Sequence, residues 1–359
     1  MCFPRKLKLS GSRWAAALLA AAGAALLLAA APAAAKKPQT LYWGAQIGDQ
    51  MTGEQAPWDM RPVHRFERIA GKGLSLVEFA APFAECEPVC VFGKFPTTPL
   101  NNVRDYGAIP IFSWNSTVSP PDQDQSAFRL SDLIEGRYDA FVRGFAAEAA
   151  AWGHPFFLRF DWEMNGFWFP WSEGVNGNRP GEYVQAWRHV HDLFAAAGAS
   201  NATWVWCPNV DIFGGLAKLG PLYPGGRYVD WTCLDGFNWG KRRGSPGWLG
   251  FGRIFGDTYR RIVKHIAPGK PMLLAETASS DRGGNKPAWI RDMLHTVRTK
   301  FLRVRGVVWY DVDDRGTNWP IETSKKASAA FRHGVRGRAY RPNEFGGIAT
   351  APIKPPPRP

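Results

Sequence analysis

Apolar stretches alternate with amphipathic stretches from residue 40 to about residue 334. Eight of the apolar stretches have the length and the β-branched or aromatic content of strands. They are LYWGAQIG (41–48), LSLVEFAAPF (74–83), IPIFSWNS (109–116), PFFLRFDWEMNG (155–166), TWVWCPN (203–209), WTCLDGFNWG (231–240), PMLLAETAS (271–279) and GVVWYDVDD (306–314).

The stretches between these strands have the periodicity of helices. In EYVQAWRHVHDLFAAAG (182–198), apolar residues recur close to a 3.6-residue period, at Tyr183, Val184, Trp187, Val190 and Phe194. Eight strands that alternate with helices predict a parallel sheet with right-handed crossovers. For one domain of this length we expect an α/β fold, a single (β/α)8 TIM barrel. An open doubly wound sheet is the alternative, but no G-x-G-x-x-G motif follows the first strand to indicate a dinucleotide site.

The two ends of the chain differ in composition from the part between them. Residues 1–35 contain a basic start, an Ala/Leu-rich run and an Ala-Ala-Ala sequence before Lys36, which is the layout of a secretory signal peptide. We therefore expect a secreted protein with a catalytic domain at 36–340; an uncleaved membrane anchor is the alternative. The Pro-rich segment 341–359 predicts an extended or disordered tail.

The net charge does not indicate a nucleic-acid partner. Removal of the four leader cations would lower the formal charge of the 359-residue chain from +13 to +9. A basic surface could attract anionic polymers, but ordinary solvation explains it as well, and no nucleic-acid-binding motif accompanies it. We expect a monomer that does not bind a membrane once the leader is removed.

The cysteines predict a disulfide and no metal centre. Cys86 and Cys90 lie in the short stretch ECEPVC and, outside the cytoplasm, are expected to form a bridge. Cys207 and Cys233 are expected either to pair or to be buried thiols. No histidine cluster completes a metal site, and we expect no metal and no cofactor.

Two glutamates end apolar strands in this pattern. Glu163 follows the fourth strand and Glu276 follows the seventh. Active sites of TIM barrels lie at the C-terminal ends of the strands, where these two side chains can face each other. Other polar or aromatic side chains at strand ends are candidate substrate ligands: Asn115, Trp162, Asn165, Trp168, Asn238 and Trp309.

Two facing carboxylates among many aromatic rings indicate a glycosidase. One carboxyl group donates a proton to the leaving oxygen, and the other attacks the sugar or activates water. Apolar rings raise the pKa of a neighbouring carboxyl group and stack on sugar faces. The alternative is purely structural: Arg159, four residues before Glu163, could pair with a glutamate, and the rings could fill the core.

Three segments resemble glycoside hydrolase family 26, the β-mannanase family: residues 156–198, 223–240 and 270–279. The resemblance extends in order over about 41–332. It implies a retaining mechanism with Glu163 as the acid/base and Glu276 as the nucleophile. It also implies that Trp168 lines the cleavage region, that Trp309 stacks on sugar, and that the polysaccharide substrate is a β-mannan.

Three positions depart from the mannanase pattern. Trp162 stands where the family usually has a histidine before the acid/base, and Asn115 where a histidine is common after the third strand. Phe237 stands where a tyrosine normally holds the nucleophile. Hydrolysis of another β-glycan or a bacterial exopolysaccharide therefore stays an alternative. So does a non-catalytic carbohydrate-binding barrel.

Overall fold

The fold was analysed in a computed structural model that describes residues 39–119, 123–242, 244–314 and 316–357. The predicted signal peptide lies outside the described residues. Within the described residues, no helix is long and apolar enough to cross a membrane.

Eight parallel strands form a closed barrel. They are β1 (Tyr42–Ile47), β2 (Leu76–Cys86), β3 (Ile109–Ser119), β4 (Phe156–Phe160), β5 (Ala202–Trp206), β6 (Trp231–Asn238), β7 (Met272–Ser279) and β8 (Val304–Asp311). Each strand pairs with the next along the chain, and β1 also pairs with β8, which closes the sheet. The sequence prediction of a single (β/α)8 TIM barrel is confirmed. A short antiparallel strand, Cys90–Phe92, adds to the edge of β2 and was not predicted.

Helices pack around the outside of this barrel. They are α1 (Arg61–Ala70), α2 (Thr97–Asp105), α3 (Leu130–Ile134), α4 (Asp139–Trp152), α5 (Glu182–Ala196), α6 (Phe251–Arg261), α7 (Lys286–Thr299) and α8 (Lys325–Val335). Helix α5 is the amphipathic segment identified above; it buries Tyr183, Trp187 and Val190, and the chain turns after it at Gly198 with φ 77°.

Many of the aromatic rings form the layer between strands and helices. Trp114 of β3 is fully buried and stacks on Phe145 of α4, with ring centroids 4.2 Å apart. In the FDWEMNGFWFPW stretch, Phe160 and Trp171 are likewise buried in the core. Core filling thus accounts for part of the aromatic content, and only the rings on the barrel mouth remain for a binding role.

The C-terminal segment is extended, but within 341–357 it is packed against the barrel rather than disordered. Ile353 is buried; its N–H donates to Thr203 Oγ1 at 2.9 Å, and its carbonyl accepts from Trp231 Nε1 at 2.7 Å. The Tyr42 hydroxyl donates to the carbonyl of Lys354 at 2.9 Å. These partners lie at the starts of β1, β5 and β6, so the tail covers the end of the barrel opposite the candidate site. Of the two alternatives that the sequence left open, extended or disordered, the structure has the extended one; proline content alone does not reveal the buried apolar anchor at Ile353.

We predict that Ile353→Ala lowers the free energy of unfolding by about 3 kcal/mol, because it leaves a cavity under the tail. Urea denaturation followed by circular dichroism measures this. Lys354→Ala is the matched control, because that side chain is exposed and only its carbonyl is bonded. Equal stability of the two variants would show that the tail does not contribute to the fold.

Candidate active site

A cavity of about 750 Å³ opens at the C-terminal ends of the strands, and both Glu163 and Glu276 line it. The carboxylates therefore meet at one mouth of the barrel, as the strand ends predict. Aromatic side chains form much of the wall: Trp162, Phe167, Trp168, Phe169, Phe213, Phe237, Trp239, Tyr310 and Trp319.

The guanidinium group of Arg159 lies buried beneath this cavity and joins carboxylates from three other strands. Its Nη1 donates to Glu78 Oε1 and to Glu276 Oε1, each at 2.8 Å, and to Ser113 Oγ at 3.0 Å. Its Nη2 donates to Asp235 Oδ2. The ion pair considered as a structural alternative therefore exists, but its partner at the cavity is Glu276 and not Glu163.

A bulge in β7 turns Glu276 toward the barrel interior. Leu234 pairs with Leu274 and Asp235 pairs with Glu276, so β7 has one extra residue, Ala275, opposite β6. A bulge of this kind redirects the side chains that follow it. Asp235 Oδ1 accepts the Glu276 N–H at 2.9 Å and holds the redirected backbone.

Glu163 lies on a tight turn that begins where β4 ends. Its φ is 55° and that of Asp161 is 39°, which is the left-handed region that L-residues seldom adopt. Surrounding hydrogen bonds hold the turn: the Glu163 N–H donates to the Cys207 carbonyl at 2.7 Å, and Trp171 Nε1 donates to the Trp162 carbonyl at 2.6 Å. Backbone strain that is retained in this way is typical of functional sites.

The Glu163 carboxylate accepts only neutral donors. Asn209 Nδ2 donates to Oε1 and Trp168 Nε1 donates to Oε2, each at 2.6 Å. The Trp168 ring folds back over Gly166, where a β-carbon would lie 2.5 Å from it. Burial raises the pKa of Glu163 to about 7, and the charge of Glu276 adds to the rise; Arg159 and the two donors lower it in part.

The two glutamates therefore have different environments. Glu276 is bonded directly to the guanidinium group of Arg159. Glu163, buried and bonded only by neutral donors, can carry a proton near neutral pH. Glycoside cleavage requires two carboxyl groups across a cavity, one of which can donate a proton.

Two of the six predicted substrate ligands lie on the cavity wall. Trp162 and Trp168 both line it, and the Trp162 ring also covers Arg159, whose Cζ lies 4.8 Å from the ring centroid. That contact helps shield the buried cation from water.

Three predicted amide ligands do not line the cavity. Asn165 is buried and bonds both the N–H and the carbonyl of Asn209, so it fastens the loop after β4 to the loop after β5. Asn238 donates to Ser279 Oγ and accepts from the Leu249 N–H. Asn115 accepts from the Thr117 hydroxyl at 2.7 Å. At these strand ends the amides fix loops rather than face the cavity.

Trp309, which was predicted to stack on sugar, does not line the cavity either. The side chain is 1% exposed and lies among Trp289 of α7 and Phe331 of α8, on the outer face of β8. Because side chains alternate along a strand, the next residue, Tyr310, lines the cavity instead. Trp319, from the loop after β8, is a second ring on this side that the sequence did not single out.

Both cysteine pairs are joined in the structure. Cys86 and Cys90 are linked across the hairpin at the end of β2. Cys207 and Cys233, which the sequence left open, are linked behind the Glu163 turn. Among the described residues, these two and Asp235 are the one group close enough together to hold a metal. Their sulfurs are bonded to each other and the carboxylate to Arg159, so the group does not fit a metal ion.

Comparison with known proteins places this site in a family. Residues 139–250, which include the Glu163 turn, match the family model described as Glycosyl hydrolase family 26. The chain is 34% identical over 308 residues to Endoglucanase H of Acetivibrio thermocellus. The chain belongs to glycosyl hydrolase family 26. The alignment covers 83% of this chain and 31% of that relative, so the chain spans about a third of the relative's length.

Solved structures of the same family share the fold. The catalytic domain of the endo-β-1,4-mannanase from Bacillus sp. JAMB-750 superposes with a TM-score of 0.63 at 15% identity, over 87% of this chain and 90% of that chain. A β-mannanase from Bacteroides ovatus gives 0.59 at 15% identity, over 85% and 91%. At such identities the likeness concerns the barrel alone.

We predict that Trp168→Phe moves the alkaline limb of the kcat/KM profile for glycoside cleavage to higher pH. The limb reports loss of the Glu163 proton, with the pKa of about 7. The N–H donor stabilises the carboxylate, so its removal raises the pKa, by about one pH unit for a hydrogen bond to a charged group. A pH–rate profile on a soluble substrate measures the shift.

Trp239→Phe is the control for this experiment, because Trp239 is a ring of the same wall without a hydrogen bond to Glu163. Its limb is expected to stay in place. A downward shift for Trp168→Phe, or equal shifts in both variants, would contradict the role given to the indole N–H.

Proposed function

We propose that this protein is an exported, endo-acting, retaining hydrolase of a neutral β-linked polysaccharide, with Glu163 as acid/base and Glu276 as nucleophile. The observation that carries the proposal is the unequal bonding of the two carboxylates, one to a cation and one to neutral donors. Export rests on the signal-peptide composition of residues 1–35.

In the first step, the Glu276 carboxylate attacks the anomeric carbon and Glu163 gives its proton to the departing oxygen. The product is a glycosyl ester of Glu276. This ester is uncharged, so the part of the rise in the pKa of Glu163 that comes from the charge of Glu276 disappears, while the larger part, from burial, remains. Glu163 is then a carboxylate that can take a proton from water, and the resulting hydroxide attacks the anomeric carbon and frees Glu276.

The contacts of Arg159 favour an enzyme over a non-catalytic sugar-binding barrel as the function of this protein. The phenylalanine at position 237 cannot donate the hydrogen bond that a tyrosine there makes to the nucleophile. Arg159 Nη1 already holds Glu276 Oε1 at 2.8 Å, and Asp235 holds the Glu276 backbone. The nucleophile is therefore oriented without the tyrosine.

We favour a β-glucan as the substrate over the β-mannan expected from the sequence. The 34% identical relative is named an endoglucanase, although that name describes a protein of which this chain matches 31%. Independently, Trp162 on the cavity wall replaces a histidine of the mannanase pattern. β-Mannan is the second candidate, and it is favoured by the names of the solved structures with the same fold.

A polysaccharide panel tests this proposal. We predict that mixed-linkage or β-1,4-glucan is cleaved with a kcat/KM about tenfold or more above that for galactomannan. Glucose and mannose differ in the orientation of one hydroxyl group, and a misplaced hydroxyl group leaves a polar group of the site unpaired. Reducing-end release and product sizing give the rates and the mode of cleavage.

Glu276→Ala is the control and is expected to be inactive on every polymer in the panel. Faster cleavage of galactomannan would favour the second candidate. A wild-type protein that binds polymers but cleaves none would favour the non-catalytic barrel.

A further inference from the structure

Two large apolar side chains at the cavity mouth stand out by their exposure. Phe167 is 66% exposed and Phe213 is 68% exposed. Seven large apolar side chains are exposed in the described part of the chain. Of these seven, Phe167 and Phe213 line the cavity. Single exposed apolar residues are common on protein surfaces, but two rings continuous with a binding cavity indicate an interaction surface.

The loops that carry these rings are fixed relative to each other. Phe167 follows Glu163 in the loop after β4, and its ring lies edge-on to Trp168 with centroids 5.3 Å apart. Phe213 lies in a turn after β5 in which Asp211 Oδ1 accepts the N–H groups of Gly214 and Gly215 at 2.7 and 3.1 Å.

Asn165 joins the two loops. Its side chain bonds both backbone groups of Asn209, and its carbonyl accepts the N–H of Ala217 at 2.9 Å. The two exposed rings therefore belong to one preorganised surface, which lowers the entropic cost of binding. We call this pair of rings, Phe167 and Phe213, the outer platform.

The outer platform lies on the acid/base side of the cavity. Its loops are those that supply Trp168 and Asn209, the two donors to Glu163. The rings Phe237, Trp239, Tyr310 and Trp319 come instead from the loops and strand ends of β6 and β8, which flank β7 and Glu276. In a retaining reaction the acid/base faces the leaving group, whereas the nucleophile holds the sugar that becomes the ester.

We infer that the outer platform binds the leaving-group portion of the polysaccharide, beyond the sugar unit next to the cleaved bond, by stacking on the apolar faces of its rings. This inference rests on the proposed glycosidase function and adds the direction in which the polysaccharide lies in the cavity. The same surface binds a sugar acceptor during glycosyl transfer: an acceptor hydroxyl attacks the anomeric carbon of the Glu276 ester, its proton passes to Glu163, and the ester bond breaks.

The double variant Phe167→Ala/Phe213→Ala tests the inference on two substrates. The first is mixed-linkage β-glucan, the polysaccharide favoured above. The second is the 2,4-dinitrophenyl β-glycoside of its disaccharide, whose leaving group is too small to reach the outer platform. We expect kcat/KM on the polymer to fall about tenfold, on the scale of burying one apolar ring, and kcat/KM on the dinitrophenyl glycoside to fall less than about twofold. The ratio of transfer to hydrolysis with added oligosaccharide should fall as well.

Leu302→Ala is the matched control, since Leu302 is 48% exposed but does not line the cavity. It should behave as wild type on both substrates. Unchanged polymer kinetics in the double variant, or an equal loss on both substrates, would overturn the inference. A wild-type protein that cleaves neither substrate would instead overturn the proposed glycosidase function.

Discussion

One buried cation organises the interior of this barrel. Arg159 extends from β4 and bonds Glu78 from β2, Asp235 from β6 and Glu276 from β7. Taking such charges out of water costs several kcal/mol per ion, which is offset only when each charge keeps its partners. Loss of Arg159 would leave three carboxyl groups without their cation. We therefore regard Arg159 as the residue on which both the barrel interior and the site depend.

Three carboxyl groups bond this one cation, and burial changes the protonation of one of them, Glu78. Burial raises the pKa of Glu78 to about 7, and the neighbouring Glu276 adds to the rise although Arg159 opposes it. A proton can therefore reside on Glu78, beneath the cavity, while Arg159 stays bonded to Glu276 at the cavity. Glu163 faces the same cavity without a cation bonded to it, so the network separates the roles of two chemically identical side chains.

The fold and the pair of glutamates at the cavity could be predicted from local patterns, whereas the cavity wall could not. The eight strands follow from alternating apolar runs, and Glu163 and Glu276 follow from their places at strand ends. Whether Trp309 or Tyr310 faces the cavity depends on the register of β8, which shifts against β7 and is not visible in the sequence. The amides of Asn165 and Asn238 look like sugar ligands, but long-range loop contacts occupy them. From the sequence, Arg159 could be predicted only as a possible ion-pair partner of a glutamate, which was the structural alternative to a catalytic role.

The most direct test of the account is to trap the glycosyl–enzyme with a 2,4-dinitrophenyl 2-deoxy-2-fluoro-β-glycoside of the cleaved sugar and to locate the label by peptide mass spectrometry. In such a reagent the fluorine slows both steps while the good leaving group keeps the first one measurable, so the ester accumulates. The account predicts one label per chain, on Glu276, and release of the β-anomer in the uninhibited reaction. A label on another residue, or release of the α-anomer, would contradict the assignment of Glu276 as the nucleophile.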